Sequence, residues 1–365
     1  MKFIINRDTL LETLQKALGP TTTKQNLPVL NDILITTSNE KLKLVTTDLD
    51  ITTISLLKPK IIEEGKITVP MKRFLAIIRE LPSNEVTVQT LKNNLLIKCE
   101  KIEFKMNTSD PNEFPKVEEE NHTSFIKINP QELEEMIKLT SFCVGQDDVN
   151  YVLGGVLFDI FENTIKLIAT DGKRLSFIEK KLPATQSPIK TKISFILPIK
   201  AVTEIQKLIK DKTDEILLFT EENRVGFDFK GTQFIARPIE GEFPNYAQYI
   251  PDENREKMKI DKKEFLLSLR RAAILSTPDY QGVKLDVKKD SMVISKQTPQ
   301  MGEVKEVVSV KYGGAPLQIG FNPSYLLDVL KNLSGEEVDI EFFGADKPAI
   351  LRKENYIYLA LPIKI

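Results

Sequence analysis

Acid–base, nucleophilic and metal chemistry draws heavily on histidine and cysteine, and this chain has one histidine, His122, and two cysteines, Cys99 and Cys143. His122 falls in an acidic, turn-rich stretch, and the two cysteines lie far apart in apolar surroundings that suit buried, reduced thiols. A thiolate or imidazole zinc site lacks ligands, and no Ser-His or Cys-His pair has a base at hand. Carboxylates remain, with Asp48 and Asp50 in "TDLD" the nearest approach to an acid pair. Asp48 recurs as Asp171 in "ATDGKR", however, at a matching place in a repeat, which marks it as framework. A carboxylate-based hydrolase is therefore the alternative reading, as is a scaffold that meets only proteins. The expectation is a protein with no catalytic residue, no metal and no cofactor.

The elements that must position any binding surface are written three times. "FIINRDTLLETLQKAL", "FIKINPQELEEMIKLTS" and "KMKIDKKEFLLSLRRAAIL" each read as a short strand, a polar cap and an amphipathic helix. Ile5, Ile128 and Ile260 correspond, as do the caps Asn6, Asn129 and Asp261. Leu10, Leu133 and Phe265 are each followed four residues on by Leu14, Ile137 and Leu269, one apolar stripe per helix. Alternating hairpin strands follow, then a second helix opening at "VPMKRF", "LPIKAV" or "NPSYLL", with Pro70 and Pro198 expected in the first turn, then further strands. The phrase Glu-Phe-Pro closes the first copy at 113–115 and the second at 242–244. Domains are expected at 1–122, 123–253 and 254–365, in an α+β architecture with rim strands such as 102–106 continuing a sheet into a neighbour.

The length of 365 residues, 41% hydrophobic and 28% charged, suits two or three globular domains. No run of about 18 apolar residues could span a membrane, and the polar start argues against a signal peptide, so a cytoplasmic location is expected. Net charge is −1, but the helices carry a surplus of cations: Lys72, Arg73 and Arg79 in one, Lys200, Lys207, Lys210 and Lys212 in another, Lys262, Lys263, Arg270 and Arg271 in a third. If helices packed about 9–10 Å apart line an arc that closes, six leave a hole of only about 8 Å and twelve one near 26 Å. A nucleic-acid duplex about 20 Å across passes only the larger, which needs two copies of the chain.

The segments "NLPVLNDILI", "TDLDITT", "QDDVNYVLGGVLF", "ATDGKRLS", "GEFPNY", "RRAAILS", "IGFNPSYLLDVL" and "LPIKI" resemble the bacterial sliding clamps, the DNA polymerase III beta subunits, from end to end. The resemblance implies three tandem clamp-fold domains and a ring-shaped homodimer that encircles duplex DNA without reading its sequence. Its implied partners are the polymerase III catalytic subunit, the clamp loader, and other polymerases and repair proteins that bring clamp-binding peptides. The implied peptide groove comprises Leu153, Thr170, Gly172, Lys173, Arg174, Leu175, Pro244, Tyr249, Asn322, Tyr325, Leu359, Leu361, Pro362 and Ile363. Lys173, Gln248 and Tyr249 depart from common family residues, which changes the charge and filling of its rim. The resemblance places Lys24 and Tyr151 on DNA, to which the helix charges add Arg73, Lys200 and Arg270; Asp147 and Asn150 replace the usual residues of a second contact loop. The dimer seam is expected to join Phe104 and Met106 to Ile274 and Leu275 of the other chain.

Overall fold

A computed structural model describes residues 1–22, 27–117, 125–145, 148–183, 188–210, 214–253, 257–299 and 301–364. The first module runs β1 (Lys2–Asn6), α1 (Arg7–Ala17), β2 (Asp32–Ser38), β3 (Lys41–Thr47), β4 (Ile51–Leu57), β5 (Lys60–Glu63), β6 (Gly65–Pro70), α2 (Met71–Glu80), β7 (Glu85–Leu91), β8 (Asn94–Cys99) and β9 (Ile102–Asn107). The second runs β10 (Ile126–Ile128), α3 (Pro130–Thr140), β11 (Gly155–Glu162), β12 (Thr164–Thr170), β13 (Arg174–Lys181), β14 (Ile189–Pro198), α4 (Ile199–Ile209), β15 (Ile216–Glu221), β16 (Arg224–Asp228) and β17 (Thr232–Ala236). The third runs β18 (Lys257–Asp261), α5 (Lys262–Ala273), β19 (Val283–Val287), β20 (Ser291–Thr298), β21 (Gly302–Ser309), β22 (Lys311–Tyr312), β23 (Leu317–Phe321), α6 (Pro323–Asn332), β24 (Glu337–Phe342), β25 (Ala349–Lys353) and β26 (Tyr356–Ala360).

The triplication is real, and the matched positions behave alike. Ile5, Ile128 and Ile260 are buried, as are both members of each stripe: Leu10 and Leu14, Leu133 and Ile137, Phe265 and Leu269. Asn6 caps α1 by accepting from the Asp8 and Thr9 amides at 2.9 and 3.2 Å, and Asp261 caps α5 from Glu264 at 2.7 Å. Pro70 and Pro198 are the last strand residues before their helices rather than first-turn residues. More strands lie between the helices than one hairpin supplies: a three-strand meander and a strand that leads into the second helix, with β5 and β22 added in the first and third modules.

Packing divides the chain into two compact units, Met1–Gln131 with Thr203–Pro238, and Glu132–Val202 with Ile239–Ile365. The first holds a five-stranded sheet, β5-β1-β7-β8-β9, and an eight-stranded one, β10-β15-β16-β17-β4-β3-β2-β6. The second holds a nine-stranded sheet, β14-β11-β12-β13-β26-β25-β24-β18-β22, and a four-stranded one, β21-β20-β19-β23. Modules are thus joined by strand pairing, β4 with β17 and β13 with β26, all antiparallel. The strand over 102–107 ends the five-stranded sheet, so among the described residues its outer edge is left unpaired.

The two Glu-Phe-Pro phrases have a shared structural purpose. Phe114 is buried against Val45 and Ile54 of the first module and Phe219 and Ile235 of the second, on the face of the eight-stranded sheet. Phe243 packs likewise on the nine-stranded sheet, against a cluster drawing Leu157, Ile168, Leu175 and Ile196 from the second module and Ile350 and Leu359 from the third. Each connector therefore runs back over the sheet that fuses its two neighbours and covers the apolar patch there. Gly226, opposite Phe219 in the ladder, leaves the space that ring occupies: any Cβ would overlap it.

Candidate functional site

The turn after β12 is built by two side chains. Thr170 Oγ1 donates to the Arg174 carbonyl at 2.6 Å and accepts from the Gly172 amide at 3.0 Å. Asp171 Oδ1 accepts from the Lys173 and Arg174 amides at 2.9 and 3.0 Å. Threonine and aspartate make such turns because their short polar side chains replace backbone partners. Gly172 sits at φ +82°, a conformation glycine adopts without a steric penalty.

Arg174 leaves this turn with every arm of its guanidinium engaged. Nε donates to Asp171 at 3.0 Å, one terminal nitrogen to Asp328 at 2.7 Å, the other to the Phe142 carbonyl at 2.7 Å. The cation also lies 4.7 Å from the Tyr325 ring centre. Burial opposes its charge, yet the hydrogen bond to Asp328 and the nearby negative groups outweigh that and raise its pKa. The side chain is only 11% exposed, so it ties β13 to α6 rather than offering donors outward. Beneath it, burial pushes the Cys143 thiol well above its ordinary pKa, and the thiol is free and inert. Cys99 is likewise buried and unpaired.

The terminal strand closes onto the same place. Leu359 lies directly opposite Leu175 in the β13–β26 ladder. The Leu361 amide then donates to the Lys173 carbonyl and the Ile363 amide to the Gly320 carbonyl, both at 2.9 Å. Tyr358 donates to the Tyr325 carbonyl at 2.7 Å, and Asn322 caps α6 through the Ser324 amide at 3.0 Å. Leu153 is buried, and its carbonyl accepts from the Gly145 amide at 2.8 Å. Leu175 and Leu359 are buried in the floor, whereas Leu361 is 39% and Tyr249 60% exposed, with Pro362 and Ile363 half-buried beside them. The result is an aliphatic surface with peptide groups along its edge, suited to holding an extended chain.

Nearly all the residues expected of a groove therefore belong to one neighbourhood, but their duties differ. Thr170, Arg174 and Asn322 build the walls; Leu361 and Tyr249 offer surface. Pro244 is exposed, while Phe243 and Tyr246 around it anchor the segment, the Tyr246 ring tilted against Phe177 at 5.9 Å between centres. Sequence reasoning passed over Phe243, Tyr246, Phe142 and Asp328. The aromatic spacing in "EFPNY" was a usable signal, but nothing local joins Asp328 to Arg174.

Other expected contacts are scattered over exposed surface. Arg73 on α2 and Arg270 on α5 are exposed and, among the described residues, in no ion pair; Lys200 is half-buried, and Tyr151 is 61% exposed. Lys24 and Asp147 lie outside the described residues. Of the seam candidates, Phe104 is 38% and Ile274 72% exposed and Leu275 is half-buried. Met106 is instead 6% exposed and packs in the core with Leu95 and Ile97, so it supports β9 from within. Among the described residues no group of three His, Cys, Asp or Glu is placed to hold a metal, and no helix is long and apolar enough to cross a membrane.

Comparison with known proteins covers the whole chain. Family models for the DNA polymerase III beta subunit match in chain order: the N-terminal domain at 1–118, the central domain at 127–245 and the C-terminal domain at 247–363. The beta sliding clamp of Staphylococcus aureus is 31% identical, covering 100% of this chain and 99% of its own. That of Pseudomonas putida is 29% identical, with both chains fully covered. A crystal structure of the DNA polymerase III subunit beta from Pseudomonas aeruginosa superposes with a TM-score of 0.94 at 29% identity, again over all of both chains.

Proposed function

The chain belongs to the DNA polymerase III beta subunit family, the bacterial sliding clamps, and from that premise we infer which of its surfaces do a clamp's work. It is a processivity factor for DNA polymerase, with no catalysis of its own. Two copies form a head-to-tail ring around duplex DNA, each contributing domains at 1–122, 123–253 and 254–365. It works in the cytoplasm, where reduced thiols such as Cys99 and Cys143 persist.

The groove takes peptides from the polymerase III catalytic subunit, the clamp loader, and other polymerases and repair proteins. What carries this reading is the convergence of the 170–174 turn, the start of α6 and the terminal strand on one half-open aliphatic surface. Removing residues 361–365 should abolish peptide binding while leaving the assembly intact; unchanged affinity in a titration would remove that strand from the groove.

DNA is held weakly through phosphates, because sliding requires that no register be preferred. The exposed cations Arg73 and Arg270, with Lys200, Lys24 and Tyr151, are the contacts. The seam joins β9 and β21, each paired on one side only among the described residues, with Phe104 and Ile274 as apolar anchors beside Leu275. Ile274→Ala with Leu275→Ala should sediment as a monomer. Loaded onto a closed DNA circle the protein should stay bound, and be lost once the circle is cut; equal loss from both forms would reject encirclement.

A further inference from the structure

Lys296 on β20 is 4% exposed and is not among the residues expected of the groove. Its ammonium donates to the Tyr280 and Gly282 carbonyls, both at 2.8 Å, and meets no carboxylate among the described residues. Burial pulls its pKa below the ordinary lysine value. An ammonium with so little access to water and no counter-ion is costly to bury, and the cost is offset only where carbonyls replace its hydration. Here the two hydrogen bonds fix the loop 277–282, whose own turn is closed by Thr277 and Tyr280 exchanging backbone bonds at 3.1 and 3.2 Å.

That loop is one wall of a cleft of about 840 Å³, a volume suited to a ligand fragment. Lys284, Ser295 and Lys305 stand in one cross-strand row along β19, β20 and β21 and line it. Lys364 and Ile363 close the far side. Four lysines thus meet two acids, Asp279 and Glu303, so the cleft is net positive. It continues the groove: Ile363 belongs to both, and Gln281 of the loop accepts from the Asn322 amide group at 3.1 Å.

We propose that this cleft is a second subsite of the groove, receiving acidic residues that flank the apolar part of a bound peptide. Lys284, Lys305 and Lys364 supply the attraction, and Lys296 is the positioning residue that holds the wall and adds buried charge behind it. The proposal rests on the peptide-groove reading above. It makes acidity next to the apolar core a determinant of which partners this clamp prefers.

The test uses the intact protein and a hexapeptide selected on it from a random library. That peptide is resynthesised with an Asp-Glu-Asp or an Asn-Gln-Asn extension at either end. At low salt the acidic extension at one end should tighten binding on the order of tenfold over the neutral one, as three partly screened charge pairs would give. Lys284→Gln with Lys305→Gln, which keeps only Lys364 of the three, should cut that preference to about twofold and leave the unextended peptide's affinity unchanged. Lys296→Met should shrink the same acid-to-neutral ratio, a readout that general loosening of the fold would not move. Equal affinity for acidic and neutral extensions, with the unextended peptide binding normally, overturns the subsite alone. A selected peptide indifferent to loss of residues 361–365 overturns the subsite and the groove together.

Discussion

The segments 47–51 and 170–174 are the same turn in two modules. In each, a threonine Oγ1 donates to the carbonyl four residues on, at 3.1 and 2.6 Å. In each, an aspartate Oδ1 accepts from the amides two and three residues on: 3.1 and 2.6 Å for Asp48, 2.9 and 3.0 Å for Asp171. The residue after the aspartate takes a left-handed φ in both, +81° at Leu49 and +82° at Gly172. What differs is the fifth position, where the first copy buries Ile51 and the second extends Arg174 to Asp171, Asp328 and Phe142. A framework turn thus becomes a wall of the proposed groove through one side chain with distant partners, while the backbone stays as it was.

Substitutions can break that comparison in a graded way. Asp171→Ala removes the acceptor of two backbone amides and the partner of the Arg174 Nε, and should destabilise by about 3 kcal/mol and weaken peptide binding. Asp48→Ala should lower stability but leave peptide affinity alone; if titrations show both aspartates affecting the peptide equally, the second turn has no special role. Arg174→Ala leaves Asp171 without its cation and Asp328 with only Lys331, 3.7 Å away. The cost should be about 2 kcal/mol, below that of a fully buried pair because water reaches Asp328. Calorimetry should show that loss together with reduced peptide affinity, and an unchanged affinity would make Arg174 purely architectural.

The smallest effects should have opposite signs. Gly172→Ala meets no neighbouring atom yet must hold a left-handed φ, so it should cost about 1 kcal/mol. Leu49→Gly relieves that same strain at a half-exposed side chain and should gain up to about 0.5 kcal/mol. Thermal unfolding of the two variants that shifts in one direction would show that the turns are not equivalent.

The repeat was legible because it is written locally. Helix stripes and caps depend on residues three or four apart, and Leu10, Leu14, Asn6 and Asp261 stand where that spacing puts them. The pairing of β4 with β17 and β13 with β26 was not legible, since alternation says which face is apolar but not which distant strand lies alongside. Met106 shows the same limit: alternation put it on one face with Phe104, but not how far along β9 the core reaches. Arg174 could be placed in the groove by resemblance, while its satisfied guanidinium depends on Asp328, far away in the chain.

The seams between modules set what can be made separately. A fragment stopping after the first module would carry β4 as a bare edge, with Val45 and Ile54 stripped of Phe219 and Ile235. One starting at the third would leave β26 open in the same manner, with Ile350 and Leu359 uncovered. Single modules made alone should therefore clump or misassemble, whereas a chain nicked in a connector should still purify as one particle, its pieces stitched by the ladder.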